Sequence, residues 1–158
     1  AAATGEQPRI TLLTQYVKDL SFENPNAPVI YAQLKGQPQI QVNVDVGANR
    51  LQERLAEVTL RLKLEAKAEE KTAFILELEY AGLCQLGGTP DQEETEKRYL
   101  VEAASMLFPF ARAILANQTR DGGFAPLLLA PIDFGQLYQQ KKARAAAGGQ
   151  GGTAAPSA

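Results

Sequence analysis

Apolar and polar residues alternate with a period of two along four stretches in the first half of the chain, and that period disappears after Pro90. The clearest stretch is 57–67, where Val58, Leu60, Leu62, Leu64 and Ala66 oppose Glu57, Thr59, Arg61, Lys63, Glu65 and Lys67. Such alternation predicts a strand with one buried and one wet face. Residues 72–83 repeat it, with Phe74, Leu76, Leu78 and Tyr80 against Ile75, Glu77 and Glu79, and residues 38–46 set Ile40, Val42, Val44 and Val46 against Gln41, Asn43 and Asp45. Residues 10–23 are less regular. Ile10, Leu12, Tyr16, Leu20 and Phe22 fall on one parity, and Leu13, Val17, Asp19 and Glu23 on the other.

The short connections on either side of 57–67 favour antiparallel neighbours. Residues 24–37, punctuated by Pro25, Pro28 and Gly36, are too long for a tight hairpin and read as a crossover to a non-adjacent position. A helix is predicted from Asp91, with acids in its first turns. Pro109 either interrupts it or opens a second helix, with Phe110, Ala113, Ile114 and Asn117 on one face and a stop at Gly122-Gly123. The run GFAPLLLAPIDF at 123–134 holds two prolines, which keep it out of regular structure, so its side chains need cover. One more short helix carries Phe134, Leu137 and Tyr138 on a face. The expected fold is therefore α+β: a four-stranded antiparallel sheet with a helical layer on one face. The domain is expected over residues 9–142, between a flexible 1–8 and an Ala/Gly-rich disordered tail over 143–158.

Charge and chemistry narrow the function. With 16 basic and 18 acidic residues the chain has no field that would hold nucleic acid. It has no histidine, which removes Ser-His-Asp and Cys-His catalysis, and no phosphate-binding glycine loop. Asn117-Gln118-Thr119 is read as a chance match to the glycosylation pattern. Cys84, lone and inside an apolar strand, reads as a buried, inert thiol. No cofactor, metal or enzymatic role is expected. The absence of a secretory leader and of a membrane-length apolar run predicts a cytoplasmic chain without membrane insertion.

Two surfaces call for explanation. With one helical layer, the second sheet face stays open, and its parity includes Asp19, Glu23, Glu77 and Glu79 together with Val17 and Ile75. That face is either a solvated surface with stray apolar residues or an acidic, partly apolar dock for a basic protein. On the helical side, the apolar residues of MLFPFARAIL, GFAPLLLAPIDF and the crossover exceed what one helix on one sheet needs. They either form core and subunit contacts or line a groove for extended apolar ligands.

Four blocks, YVKDLSFENPNAP at 16–28, TAFILELEYAG at 72–82, LFPFAR at 107–112 and GGFAPLLLAPIDFGQLY at 122–138, resemble the bacterial SecB protein-export chaperone family in order and spacing. The resemblance covers about residues 9–140. It implies a SecB-like fold and an ATP-independent chaperone, a homotetramer built as a dimer of dimers. Such a chaperone holds precursor proteins unfolded and delivers them to the SecA motor for export through the Sec translocon. By resemblance, the positions that dock SecA are Asp19, Glu23, Ile75 and Glu77. The client groove it implies draws on Ile40, Val42, Val44, Phe74, Phe110, Leu127 and Phe134. The competing reading is a structural or small-ligand-binding oligomer with no client-holding activity.

Overall fold

The computed structural model describes residues 9–148. Its elements run β1 (Ile10–Glu23), α1 (Val29–Gln33), β2 (Gln39–Gln52), β3 (Leu55–Ala68), β4 (Lys71–Leu86), α2 (Gln92–Lys97), a π-helical segment (Arg98–Ala103), α3 (Ala104–Asp121) and α4 (Phe134–Gly148). The four strands form one antiparallel sheet in the order β1-β4-β3-β2. Residues 24–38 thus carry the chain from one sheet edge to the other, as the prolines in that stretch predict.

Residues opposite one another across a ladder share a face. In β3, Val58, Leu60, Leu62, Leu64 and Ala66 are all buried, and their partners in β4 are Gly82, Tyr80, Leu78, Leu76 and Phe74. This inner face meets Leu107, Phe108, Ala111 and Leu115 of α3 in a single core, to which the crossover contributes Ile30. Cys84 is fully buried there, and burial pushes its thiol up to about 11, which makes it the inert thiol expected.

β1 departs from simple alternation. Its pairing with β4 skips Leu13 and Lys18, so the strand carries two bulges. Each extra residue inverts the parity that follows it. Between the bulges the faces are exchanged: Tyr16 lies opposite Ala81 on the outer face, and Val17 lies opposite Tyr80 on the inner one. This reverses the expected placement of both residues. After the second bulge the original parity returns, so Asp19 and Glu23 face outward as expected.

Pro109 neither ends the helix nor opens another, because it lies inside α3, in a continuous helical stretch, Gln92–Asp121. Burial of Leu107, Phe108, Ala111 and Leu115 on both sides of the proline offsets the roughly 3 kcal/mol that an interior proline costs a helix. By length and composition this stretch would also pass as a membrane span. One of its faces is instead packed on the sheet. Asp91 caps its start, accepting a hydrogen bond from the Glu94 N–H at 2.8 Å. Gly123, with φ of +87°, ends the turn after α3 against the Tyr31 ring, a conformation that favours glycine. The run after it is irregular, as expected. α4 extends through Gly148, six residues past the expected domain end at 142, so residues 143–148 are helical rather than tail. The flexible segments expected at 1–8 and 149–158 lie outside the described residues.

Candidate functional site: an acidic sheet face and an apolar helical side

The outer face is built in rungs that cross all four strands. One rung is Asp19, Glu79, Arg61 and Asp45; the next is Ser21, Glu77, Lys63 and Asn43; the third is Glu23, Ile75, Glu65 and Gln41. The register therefore brings Asp19, Glu23, Ile75 and Glu77 together on one surface, as strand parity predicts. A shallow depression of about 340 Å³ lies over the first two rungs. Of the two apolar residues expected here, Ile75 is present and Val17 has turned to the other side.

Two cations over the first two rungs, Arg61 and Lys63, sit on β3. Lys63 Nζ is 3.3 Å from Glu77 Oε1, and Arg61 lies between Glu79 Oε1, 3.1 Å from Nε, and Asp45 Oδ2, 3.8 Å from Nη1. Among the described residues, Asp19 and Glu23 have no cation within 4.0 Å. Towards the far end of the face Glu57 accepts hydrogen bonds from Lys18, at 2.6 Å, and from the Tyr16 hydroxyl. The bonds from Lys18 and then Tyr16 hold the Glu57 carboxyl below the usual carboxylate range. In return Glu57 pushes the Tyr16 phenol up to about 12. This cluster exists because the bulges turn Tyr16 outward, and strand alternation alone conceals it.

On the helical side the candidates separate. Phe74 and Phe134 are 1% and 3% exposed and belong to the core. Phe74 lies between Phe22 and Phe124, with ring centroids at 5.7 and 5.0 Å. Val42 is 38% exposed, and Ile40, Val44 and Leu127 are half-buried beside the core. The β2 residues form an apolar strip on the inner face of an edge strand. Next to it, a cavity of about 200 Å³ opens between Val44, Val46, Leu100, Leu137 and Tyr138. Phe110, 50% exposed, lies elsewhere: with Met106 it forms a stripe on the side of α3 opposite its buried residues.

Side chains that alternation did not single out hold this side together. Asn24 Nδ2 donates to the Tyr31 hydroxyl at 2.7 Å, and both donate to the Gly122 carbonyl at the end of α3, at 3.2 and 2.7 Å. The Gly122 position is in close contact with the Phe22 ring, so a side chain there has no room. Lys141 Nζ of α4 donates to Asp45 Oδ1 at 3.1 Å and to the Val46 carbonyl at 2.9 Å, fastening the helix to β2. The only sequence signal for these contacts is the turn chemistry of Asn24 and Gly122.

A profile of the family described as Preprotein translocase subunit SecB matches residues 3–145. The protein-export protein SecB of Parvibaculum lavamentivorans is 49% identical over 144 residues, covering 91% of this chain and 85% of that one. The protein of the same name from Granulibacter bethesdensis is 50% identical over 153 residues, with coverage of 90% and 89%. Among solved structures, the SecB-like chaperone of Mycobacterium tuberculosis, in complex with a ChAD peptide from an antitoxin, superposes with a TM-score of 0.66. It is 15% identical, over 78% of this chain and 91% of that one, a likeness of fold. With an acidic sheet face, an apolar helical side and relatives of this identity along almost the whole described chain, the protein belongs to the SecB family of protein-export proteins.

Proposed function

We propose that this protein-export chaperone holds unfolded precursor proteins in apolar grooves without nucleotide and delivers them to the SecA motor ATPase. It works in the cytoplasm as a homotetramer, a dimer of dimers. The observation that carries the reading is the separation of two unlike surfaces on opposite sides of one sheet. The outer face presents Asp19, Glu23, Ile75 and Glu77 together, a surface matched to a basic partner with an apolar contact. The inner face leaves Val42 and its neighbours Ile40 and Val44 incompletely covered along β2.

A client that exposes apolar segments gains roughly 25 cal/mol per Å² of surface removed from water, and several grooves in one oligomer multiply that gain. Area supplies the energy, so clients need share no sequence code. Phe110 and Met106 form an apolar stripe on an outer helix face, which suits contact between subunits better than a groove on the sheet. Phe110→Asp is therefore expected to lower the native mass below that of a tetramer.

Three measurements test the reading. The protein should suppress the light scattering of a denatured precursor without nucleotide. Unchanged scattering at a molar excess of tetramer would leave the structural-oligomer reading in its place. Glu77→Lys should weaken SecA binding in calorimetry and leave client holding intact; equal affinity removes Glu77 from the dock. Added salt should weaken the same contact, because exposed charges are screened over about 8 Å at physiological ionic strength.

A further inference from the structure

We infer that Lys63 and Arg61 set the specificity of the docking face, acting as built-in counter-ions that keep weakly basic chains off Glu77 and Glu79. The inference rests on the docking reading above and concerns the residues that oppose docking. Each of these two carboxylates already has a cation from the adjacent strand, Lys63 at 3.3 Å and Arg61 at 3.1 Å. The pairing follows from register, since β3 places Lys63 opposite Glu77 and Arg61 opposite Glu79. Asp19 and Glu23 stand on the other side of β4, opposite Glu79 and Ile75, and within the described residues no cation lies within 4.0 Å of either.

This asymmetry decides which ligands gain. A single lysine arriving at Glu77 exchanges one exposed ion pair for another, and exposed pairs are worth close to nothing net. A segment with several cations reaches Asp19 and Glu23 without displacing anything. At Asp19 it also relieves the like-charge apposition with Glu79. If the segment carries an apolar side chain as well, it gains the burial of Ile75, about 7 Å along β4 from Glu77 at two-residue strand spacing. The face therefore admits a polycationic segment with an apolar anchor. It rejects the scattered lysines of an unfolded client, which keeps dock and client groove from competing for one chain.

The test uses the full chain and calorimetry with two probes, SecA and a short unstructured lysine-bearing peptide without aromatic residues. Lys63 is 59% exposed in its side chain, so Lys63→Gln leaves the core untouched. The variant is expected to bind SecA about three- to tenfold more tightly, with a steeper salt dependence. It should also bind the lysine peptide, which the native face rejects, and lose that binding in the Lys63→Gln/Glu77→Gln double variant. Unchanged or weaker SecA affinity in Lys63→Gln, with Glu77→Gln weakening SecA as expected, overturns the inference and leaves the dock standing. Failure of Lys63→Gln to gain the peptide, or peptide binding that persists in the double variant, overturns the specificity role. A Glu77→Gln variant with native SecA affinity removes Glu77 from the dock and overturns the inference with it.

Discussion

Phe124 and Leu128 lie four residues apart in the most apolar run of the chain, yet replacing each by alanine should have very different effects. The Phe124 ring is 8% exposed and packs against Phe74 at 5.0 Å and Tyr31 at 5.4 Å, whereas Leu128 is 73% exposed. Deleting a buried phenylalanine side chain costs about 3–5 kcal/mol, from lost transfer energy and the cavity left behind. Here it also removes two aromatic contacts that connect the loop after α3 to the sheet and the crossover. An exposed leucine changed to alanine stays within about 0.5 kcal/mol. For a urea dependence of about 2 kcal/mol per molar, the unfolding midpoint should fall by about 1.5–2.5 M for Phe124→Ala and by no more than about 0.25 M for Leu128→Ala. Far-ultraviolet circular dichroism in a urea titration reads both, at matched protomer concentrations because oligomer stability depends on concentration. Equal midpoints for the two variants, or a Phe124→Ala shift below about 0.5 M, would refute the assignment of Phe124 to the core.

Thr119, fully buried, donates from Oγ1 to the Leu115 carbonyl at 2.9 Å and accepts from the Leu127 N–H at 2.9 Å. Thr119→Val should cost about 1–3 kcal/mol in urea unfolding by stranding that N–H, and Thr119→Ser should recover most of the loss. Cys84 should resist a thiol-alkylating reagent near neutral pH until the chain is unfolded, since its thiol is buried with a pKa of about 11; rapid labelling of the native protein would contradict this. The lowered Glu57 carboxyl contributes stability at neutral pH that is lost as pH falls through its depressed value. The raised Tyr16 phenol contributes stability that is lost as pH rises from about 10 towards about 12. Tyr16→Phe should therefore flatten the change in thermal midpoint at both extremes, and a profile identical to the native one would exclude the contact.

Much of the fold and part of the candidate site are legible in the sequence. Strand alternation is a local signal: a side chain two residues on lies on the same face whatever the rest of the molecule does. The faces of β2, β3 and β4 and the outward direction of Glu77 and Ile75 could thus be read directly from Val58 to Ala66 and Phe74 to Tyr80. The prolines of the crossover and of the run after α3 acted in the same local way, by removing helix and hairpin from the alternatives. The SecB resemblance rested on four ordered blocks, which specify a family more sharply than they specify contacts.

What required the folded chain was every feature that depends on a partner distant in sequence. The bulges at Leu13 and Lys18 exist only in the pairing with β4, so the reversal of Tyr16 and Val17, and with it the Tyr16–Glu57–Lys18 cluster, has no local signature. Pro109 is a helix breaker by propensity, but the sheet beneath α3 buries enough apolar surface on either side of it to keep the helix whole. Composition describes Phe74, Phe110, Phe134 and Leu128 alike as apolar. Packing placed the first and third in the core, turned Phe110 to the outer side of α3 and left Leu128 in solvent. Likewise, periodicity put Lys63 and Glu77 on open faces of two strands, and the β3–β4 register placed one opposite the other as an ion pair. Periodicity within a strand is set by its own backbone; burial and charge pairing are set by which strands and helices lie alongside it.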